Sequence, residues 1–176
     1  MRPFILILVA ATAALAQDNP LSAFNKMAYT QMKTWVLASA EKMPESNYAF
    51  QPTDSIRTFG HLIGHVGDAQ YLFCSAALGE KNPGMAIEKT KTAKADIITS
   101  LKEAFAYCDK AYDAMTDVAA TEKVSLFGRQ LPKFGVLSAN VMHMSEHYGN
   151  IVTYLRLKNI VPPSSETPVP PAQPKK

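Results

Sequence analysis

The chain has 176 residues, and 18 Lys and Arg against 15 Asp and Glu give it a formal charge of +3. A near-neutral chain without a block of basic residues lacks the electrostatic footprint of a nucleic-acid-binding protein, so we expect no nucleic-acid partner. The length fits one domain that is large enough to bury a hydrophobic core.

The first sixteen residues, MRPFILILVAATAALA, have the features of a secretory signal peptide. Arg2 supplies a short basic region, an apolar run begins at Phe4, and Ala14 and Ala16 form a small-residue cleavage site. The apolar run is too short to span a bilayer. We therefore expect residues 1–16 to be removed, which leaves an exported, periplasmic or extracellular protein with no stable membrane span. Retention of this segment as a membrane anchor is the alternative.

Apolar residues at three- and four-residue steps predict a first helix from about residue 20 to 42. Its apolar positions are Leu21, Phe24, Ala28, Met32 and Trp35. Pro20 suits the first turn of a helix, and Pro44 closes it.

The same spacing predicts a second helix that is capped by Thr53, Asp54 or Ser55 and ends at Gly79. Its apolar positions are Phe59, Leu62, Ile63, Val66, Ala69 and Phe73. A third helix is indicated by Ile97, Leu101, Ala104, Phe105, Cys108 and Met115.

A loop with Gly128 and Pro132 follows, and a fourth helix then stops before Pro162. Its apolar positions are Leu137, Val141, Met144, Tyr148, Ile151, Val152 and Leu155. No segment alternates with period two for long enough to indicate a strand. Four such helices predict an all-α four-helix bundle over residues 17–161. Six prolines in residues 162–176 predict a disordered tail.

The four histidines form two pairs, His61 with His65 on the second helix and His143 with His147 on the fourth. Each pair has the i, i+4 spacing that places two imidazoles on one helical face. On a helical wheel both pairs lie beside the apolar stripe, where neighbouring helices meet. This pattern favours a metal site over ordinary partly buried histidines. Neutral ligands would leave the charge of the ion uncompensated, which favours anionic substrates.

The segments HVGDAQ at residues 65–70 and HMSEHYG at residues 143–149 resemble motifs of the DinB-like superfamily, and the resemblance covers about residues 20–161. It implies an up-down-down-up bundle with a long crossover between the second and third helices. It also implies a divalent metal, zinc or nickel, with His65, His143 and His147 as ligands. His61 lies outside this pattern and is a candidate fourth ligand.

The resemblance implies no single activity, since members include thiol-dependent transferases and isomerases as well as proteins without a known reaction. We expect a divalent-metal-binding bundle that acts as a metal-dependent hydrolase or transferase on an unidentified small molecule. Candidates for acid–base roles are Asp68, Glu146 and Tyr154. The alternative is a non-catalytic bundle with a structural metal or a small-ligand site. A homodimer is a candidate assembly.

The segment from His143 to His147 also matches H-x-x-E-H, in which the glutamate, here Glu146, is the general base of a zinc peptidase. Such a peptidase needs a third ligand, usually a glutamate further along the chain. The only acidic residue after His147 is Glu166, within the proline-rich tail. We rank this hypothesis below the other two.

Two cysteines in an exported chain, Cys74 and Cys108, suggest a disulfide. In a tight antiparallel hairpin of the second and third helices they would lie roughly 27 Å apart, too far to bond. If residues 79 to about 92 cross back and the helices run parallel, the cysteines are level. The crossover that the resemblance implies agrees with the second arrangement. Two buried thiols that never meet are the alternative.

Overall fold

The computed structural model describes residues 18–166. The predicted signal peptide, and the predicted tail from residue 167 onward, lie outside the described residues. The elements in chain order are α1 (Pro20–Lys42), α2 (Phe59–Leu78), α3 (Ile87–Thr90), α4 (Lys94–Asp113), β1 (Lys123–Leu126), β2 (Arg129–Pro132) and α5 (Lys133–Leu157). Short 3-10 turns lie at Glu45–Asn47, Ala119–Thr121 and Pro163–Ser165.

Four long helices, α1, α2, α4 and α5, surround one hydrophobic core, so the all-α fold class is confirmed. Each helix contributes side chains that are fully buried, among them Val36, Ile63, Leu101 and Leu137. The apolar spacing marks the buried faces of α2, α4 and α5. In α1 the predicted apolar face is wrong, because Leu21 and Phe24 are 59% and 65% exposed and the helix buries Tyr29 and Val36 instead. No helix within residues 18–166 is both long and apolar enough to cross a membrane.

Contacts between α2 and α4 advance in the same direction along both helices. Ile97 lies against Gly60 near the start of each helix, and Cys74 is bonded to Cys108 further along. The two helices therefore run parallel, and residues 79–93 cross back between them. The cysteine Cα atoms are 5.2 Å apart, within the range that a disulfide requires. The predicted disulfide is present.

Helix α1 runs antiparallel to α4, and ion pairs follow that direction. Lys26 pairs with Asp113 at 2.8 Å, and Lys33 pairs with Asp109 at 2.6 Å, so later positions on α1 meet earlier ones on α4. Surface ion pairs contribute little to stability, but both pairs agree with the same antiparallel alignment of α1 and α4.

Helix α5 runs antiparallel to α2. The Tyr154 hydroxyl donates to the carbonyl of Arg57 just before α2, and the Asn140 amide donates to Gln70 in the second half of α2. This register places His65 opposite the segment of α5 that carries the other two histidines.

Helix α2 begins at Phe59, and its cap is Thr58, whose hydroxyl accepts the backbone N–H of His61. The expected cap at Thr53, Asp54 or Ser55 is wrong, because those residues lie in an irregular loop before the helix. Any of the four hydroxyl or carboxylate residues could serve as a cap, and the sequence does not separate them.

Residues 123–132, expected to be a loop, form a small antiparallel hairpin of β1 and β2. Phe127 and Gly128 at its tip both have positive φ, 51° and 73°, as a two-residue hairpin turn requires. Four-residue strands are too short for their alternation to be seen in the sequence.

The start of the predicted tail is ordered against the bundle. Pro162 is buried, and the backbone N–H of Ser164 donates to the Tyr148 hydroxyl at 3.0 Å. Glu166 forms an ion pair with Lys42 of α1. The expectation that regular structure ends before Pro162 therefore misses one further turn.

Candidate metal centre

Three histidines from two antiparallel helices converge on one point. The Nε2 atom of His143 lies 3.2 Å from Nε2 of His65 and 3.1 Å from Nε2 of His147. One nitrogen from each ring lies within 4.8 Å of the other two. Two nitrogens bound tetrahedrally at about 2.0–2.1 Å from zinc would be about 3.4 Å apart. The three side chains could therefore hold one metal ion.

Local structure explains why these rings meet. His143 and His147 are one helical turn apart on α5, so both face α2. The ring of His65 lies 5.1 Å from that of His143 and 4.8 Å from that of His147, measured between centroids. Phe73, two turns beyond His65 on α2, has its ring centroid 5.6 Å from that of His143.

Burial keeps the two α5 imidazoles neutral. Burial, together with the neighbouring His147 and His65, lowers the pKa of His143 to about 4. Burial and His65 also lower the pKa of His147. Neutral imidazoles are the form that binds a metal, so these side chains are ready to coordinate at neutral pH.

Glu88 and Arg57 complete the surroundings of His65. A carboxylate oxygen of Glu88 lies 3.0 Å from Nδ1 of His65, and the other accepts from Nε of Arg57 at 2.8 Å. Partial burial alone would raise the pKa of Glu88, but the hydrogen bonds from Arg57 and His65 lower it overall. Nη2 of Arg57, which can only donate, also lies 3.4 Å from Nδ1, but the ionised carboxylate is closer and can only accept. The shorter contact therefore favours the proton on Nδ1 and the Nε2 lone pair of His65 facing the cluster.

The chemistry of the donor set fits a cation. Nε2 of His143 can donate at most one proton, so it cannot satisfy both His65 and His147 with a full hydrogen bond. A metal ion at the shared point would accept all three lone pairs. The Nδ1 atoms of His143 and His147 are buried and have no hydrogen-bond partner among residues 18–166. Among the three histidines, His65 is the one whose outer nitrogen contacts a carboxylate.

An open cleft of about 530 Å³ leads to the cluster, and His147 forms part of its wall. Its remaining lining residues are Asp54, Ser55, Ile56, Arg57, Leu62, Glu88, Asn150 and Tyr154. A small molecule in this cleft would reach the histidine cluster from the side of Arg57 and Tyr154.

His61, the candidate fourth ligand, is not brought to the cluster. It is exposed on α2 and lines a separate, smaller depression beside Tyr48 and Lys91. The i, i+4 spacing predicted that it shares a face with His65, but His61 faces the segments that carry Tyr48 and Lys91 and not α5.

The three acid–base candidates have different positions. Tyr154 is buried, lines the cleft and donates to the Arg57 carbonyl at 2.5 Å, and burial raises the pKa of its hydroxyl. Glu146 is exposed on α5 and is not part of the cleft wall. The carboxylate of Asp68 accepts the backbone N–H groups of Ile87 and Glu88, so it holds the crossover segment.

The peptidase hypothesis lacks its downstream ligand. Glu166 pairs with Lys42 on α1, and the residue that joins His143 and His147 is His65, earlier in the chain. Sequence reasoning missed Glu88 and Arg57, because both lie outside the long helices, where no periodicity marks a side chain as facing the site.

Comparisons with known proteins agree with this architecture. The family model described as the DinB superfamily matches residues 28–151. A solved DinB-like protein from Bacillus cereus is 18% identical, with a TM-score of 0.70 over 79% of this chain and 93% of that chain. A DinB-like protein from Bacillus subtilis is also 18% identical, with a TM-score of 0.62 over 86% and 96%.

A third solved structure is a mycothiol-dependent maleylpyruvate isomerase, 18% identical with a TM-score of 0.61. The match covers 75% of this chain and 60% of that one. At this identity the likeness establishes the fold. No curated protein sequence matches the chain.

Proposed function

The chain belongs to the DinB superfamily, and we propose that it is an exported metal-dependent enzyme acting on a small molecule. His65, His143 and His147 would bind zinc or nickel. The observation that carries the proposal is the convergence of three Nε2 atoms at the wall of an open cleft. The reaction class that we propose is hydrolysis or group transfer.

A metal with three protein ligands keeps a position for water or substrate, and there it can acidify the water or polarise a substrate oxygen. The protein's own contribution is the shape and charge of the cleft. Arg57 is partly exposed there and offers N–H donors to an anionic group. Its pairing with Glu88 fixes the guanidinium near the cluster. An anionic small molecule is the substrate class that these charges favour.

The isomerase among the similar structures uses a low-molecular-weight thiol according to its name. Such thiols are chiefly intracellular. If this chain is exported as proposed, hydrolysis suits its location better than thiol-dependent transfer. N-terminal sequencing of protein from the cell envelope should find Gln17 as the first residue, and an intact Met1 would contradict export with cleavage.

A non-catalytic role for the metal is the second candidate function. It is favoured by the engagement of two of the three acid–base candidates. Asp68 is occupied by two backbone N–H groups, and Tyr154 donates to a backbone carbonyl. A structural metal would then stabilise the contact between α2 and α5.

Metal content and turnover of matched variants test the proposal. We expect about one zinc or nickel ion per chain in the purified protein and in His61→Ala, and much less in His65→Ala and His143→Ala. His61 is the control because it lies one turn from His65 on the same helix. Metal-dependent turnover of small anionic esters, amides or phosphoesters supports the enzyme. Equal metal content in all variants would refute the ligand assignment, and bound metal without turnover would favour the structural role.

A further inference from the structure

We propose that Glu88 is a positioning residue of the metal centre, which holds the His65 imidazole in one tautomer with Nε2 aimed at the ion. The inference rests on the proposed metal site and names a residue that no sequence motif marks. It also assigns a role to the crossover between α2 and α4, which carries Glu88 to the site.

The first step is the contact between the two side chains. Glu88 places one carboxylate oxygen 3.0 Å from Nδ1 of His65 and the other 2.8 Å from Nε of Arg57. A neutral imidazole can carry its proton on either nitrogen. The carboxylate, which can only accept, favours the proton on Nδ1, and its 3.0 Å contact outweighs the longer 3.4 Å approach of the Arg57 Nη2 donor to the same nitrogen. The lone pair of Nε2 is then available on the side where His143 and His147 meet.

The second step is the support beneath Glu88. Asp68, one turn after His65 on α2, accepts the N–H groups of Ile87 at 2.7 Å and of Glu88 at 3.0 Å. These are the first residues of α3, whose N–H groups have no partner within the helix. The acidic side chain next to the metal ligand therefore holds the backbone that presents Glu88.

The third step is the close approach of α3 to α2. A Cβ atom placed on Gly64 would lie 2.8 Å from Cα of Glu88 and 2.9 Å from its backbone nitrogen. Only glycine at this position lets the crossover backbone reach α2 directly beside His65. Asp68 and Gly64 together fix the distance from which the Glu88 carboxylate reaches the imidazole.

A carboxylate that binds the outer nitrogen of a metal-ligating histidine orients the ring and raises its basicity. Loss of such a partner typically weakens metal binding by about 10- to 100-fold. His143 and His147 have no comparable partner among the described residues. The role of Glu88 is therefore confined to one of the three proposed ligands. A change at Glu88 should alter His65 and leave the hydrogen bonding of the other two imidazoles as it is.

The test measures the zinc affinity of wild type, Glu88→Ala and Glu88→Gln by chelator competition, with Glu103→Ala as the control. Glu103 is an exposed carboxylate on α4. We expect about 10- to 100-fold weaker binding for Glu88→Ala, a smaller loss for Glu88→Gln, whose amide oxygen can still accept from Nδ1, and no change for the control. Wild-type affinity in Glu88→Ala would overturn the proposal.

Nitrogen-15 NMR of the metal-free protein gives an independent readout, with the His65 signals identified by their loss in His65→Gln. We expect the Nδ1–H form of His65 in wild type and a shift toward Nε2–H in Glu88→Ala. The Nε2–H form in wild type would refute the role of Glu88. Failure of wild type to bind metal would refute the proposed function instead, while the tautomer would still decide the role of Glu88.

Discussion

His143 lies at the centre of the proposed metal centre, since its Nε2 atom is within 3.2 Å of Nε2 of both other histidines. A protonated His143 would place a charge beside two further imidazoles and Arg57, which explains its lowered pKa. The residue that is best placed to bind a metal is thus also the one that resists protonation most strongly.

This pKa shift predicts how the stability of the metal-free protein depends on pH. The pKa of His143 is about 4 in the folded protein and 6.5 ordinarily. Between these two pH values the imidazole is protonated in the unfolded chain but neutral in the folded protein. The contribution of His143 to the free energy of unfolding is therefore fully present above about pH 6.5 and is lost as the pH falls toward 4.

Urea denaturation of chelator-treated protein at pH 7.5 and pH 5 measures this effect. Wild type should lose more stability on acidification than His143→Gln, which has no imidazole to protonate. An equal loss in both proteins would show that His143 is not the group responsible.

At the residue scale, i, i+4 spacing indicated a metal site because helical periodicity places such positions on one face, and the family resemblance selected His65, His143 and His147 as candidate ligands. The same rule made His61 a candidate, because spacing along one helix does not say which neighbouring element each position faces, and His61 faces Tyr48 and Lys91. Glu88 and Arg57 could not be predicted, because their positions depend on how the segments outside the long helices fold back onto α2.

At the scale of elements, the crossover containing α3 decides the geometry of the site. Gly64→Ala should displace the backbone at Glu88, because the added Cβ would lie 2.8 Å from its Cα. Overpacking of this kind typically costs about 1–3 kcal/mol. We also expect weaker zinc binding, since Glu88 would move away from His65.

The matched control is Gly149→Ala on α5, where an added Cβ meets nothing within 4 Å. An alanine in open space within a helix is expected to be neutral or slightly stabilising. Denaturant midpoints of the two variants check the prediction. If Gly64→Ala were as stable as Gly149→Ala, the close approach of the crossover would not be a constraint.

The long helices could be predicted because each repeats its apolar pattern over several turns. Helix α3 and strands β1 and β2 could not be predicted, because each has only four residues and is too short to show a repeating pattern. Their positions come from tertiary contacts, such as the hydrogen bonds of Asp68 to the start of α3.

At the scale of the whole molecule, one disulfide links the parallel helices α2 and α4 across the core. Cys74 and Cys108 are separated by 34 residues, and closing a loop of this size stabilises by about 3–4 kcal/mol in the chain-entropy model. Both cysteines are fully buried.

Comparing urea denaturation of the oxidised protein with that of the double variant Cys74→Ala/Cys108→Ala tests this contribution. The variant should unfold at lower urea while still binding one metal ion, because the ligands lie on α2 and α5 rather than on α4. Equal stability would contradict a stabilising disulfide.

The sequence suggested this link because a chain that we expect to be exported carries two cysteines, and the crossover that the family resemblance implies puts them at the same level on parallel helices. The sequence could not predict that Asn140 also contacts both sulfurs. Its side-chain amide nitrogen lies 3.8 Å from Sγ of Cys74 and 3.5 Å from Sγ of Cys108. Such core contacts depend on the rotation of α5 about its axis.

X-ray absorption spectroscopy of the zinc-loaded protein tests the central claim most directly. A shared ion predicts three imidazole nitrogens at about 2.0–2.1 Å, with an oxygen in the remaining position. His65→Ala should lose one imidazole, and His61→Ala should leave the spectrum unchanged. A spectrum with fewer than two imidazoles, or one that His65→Ala does not alter, would contradict the account.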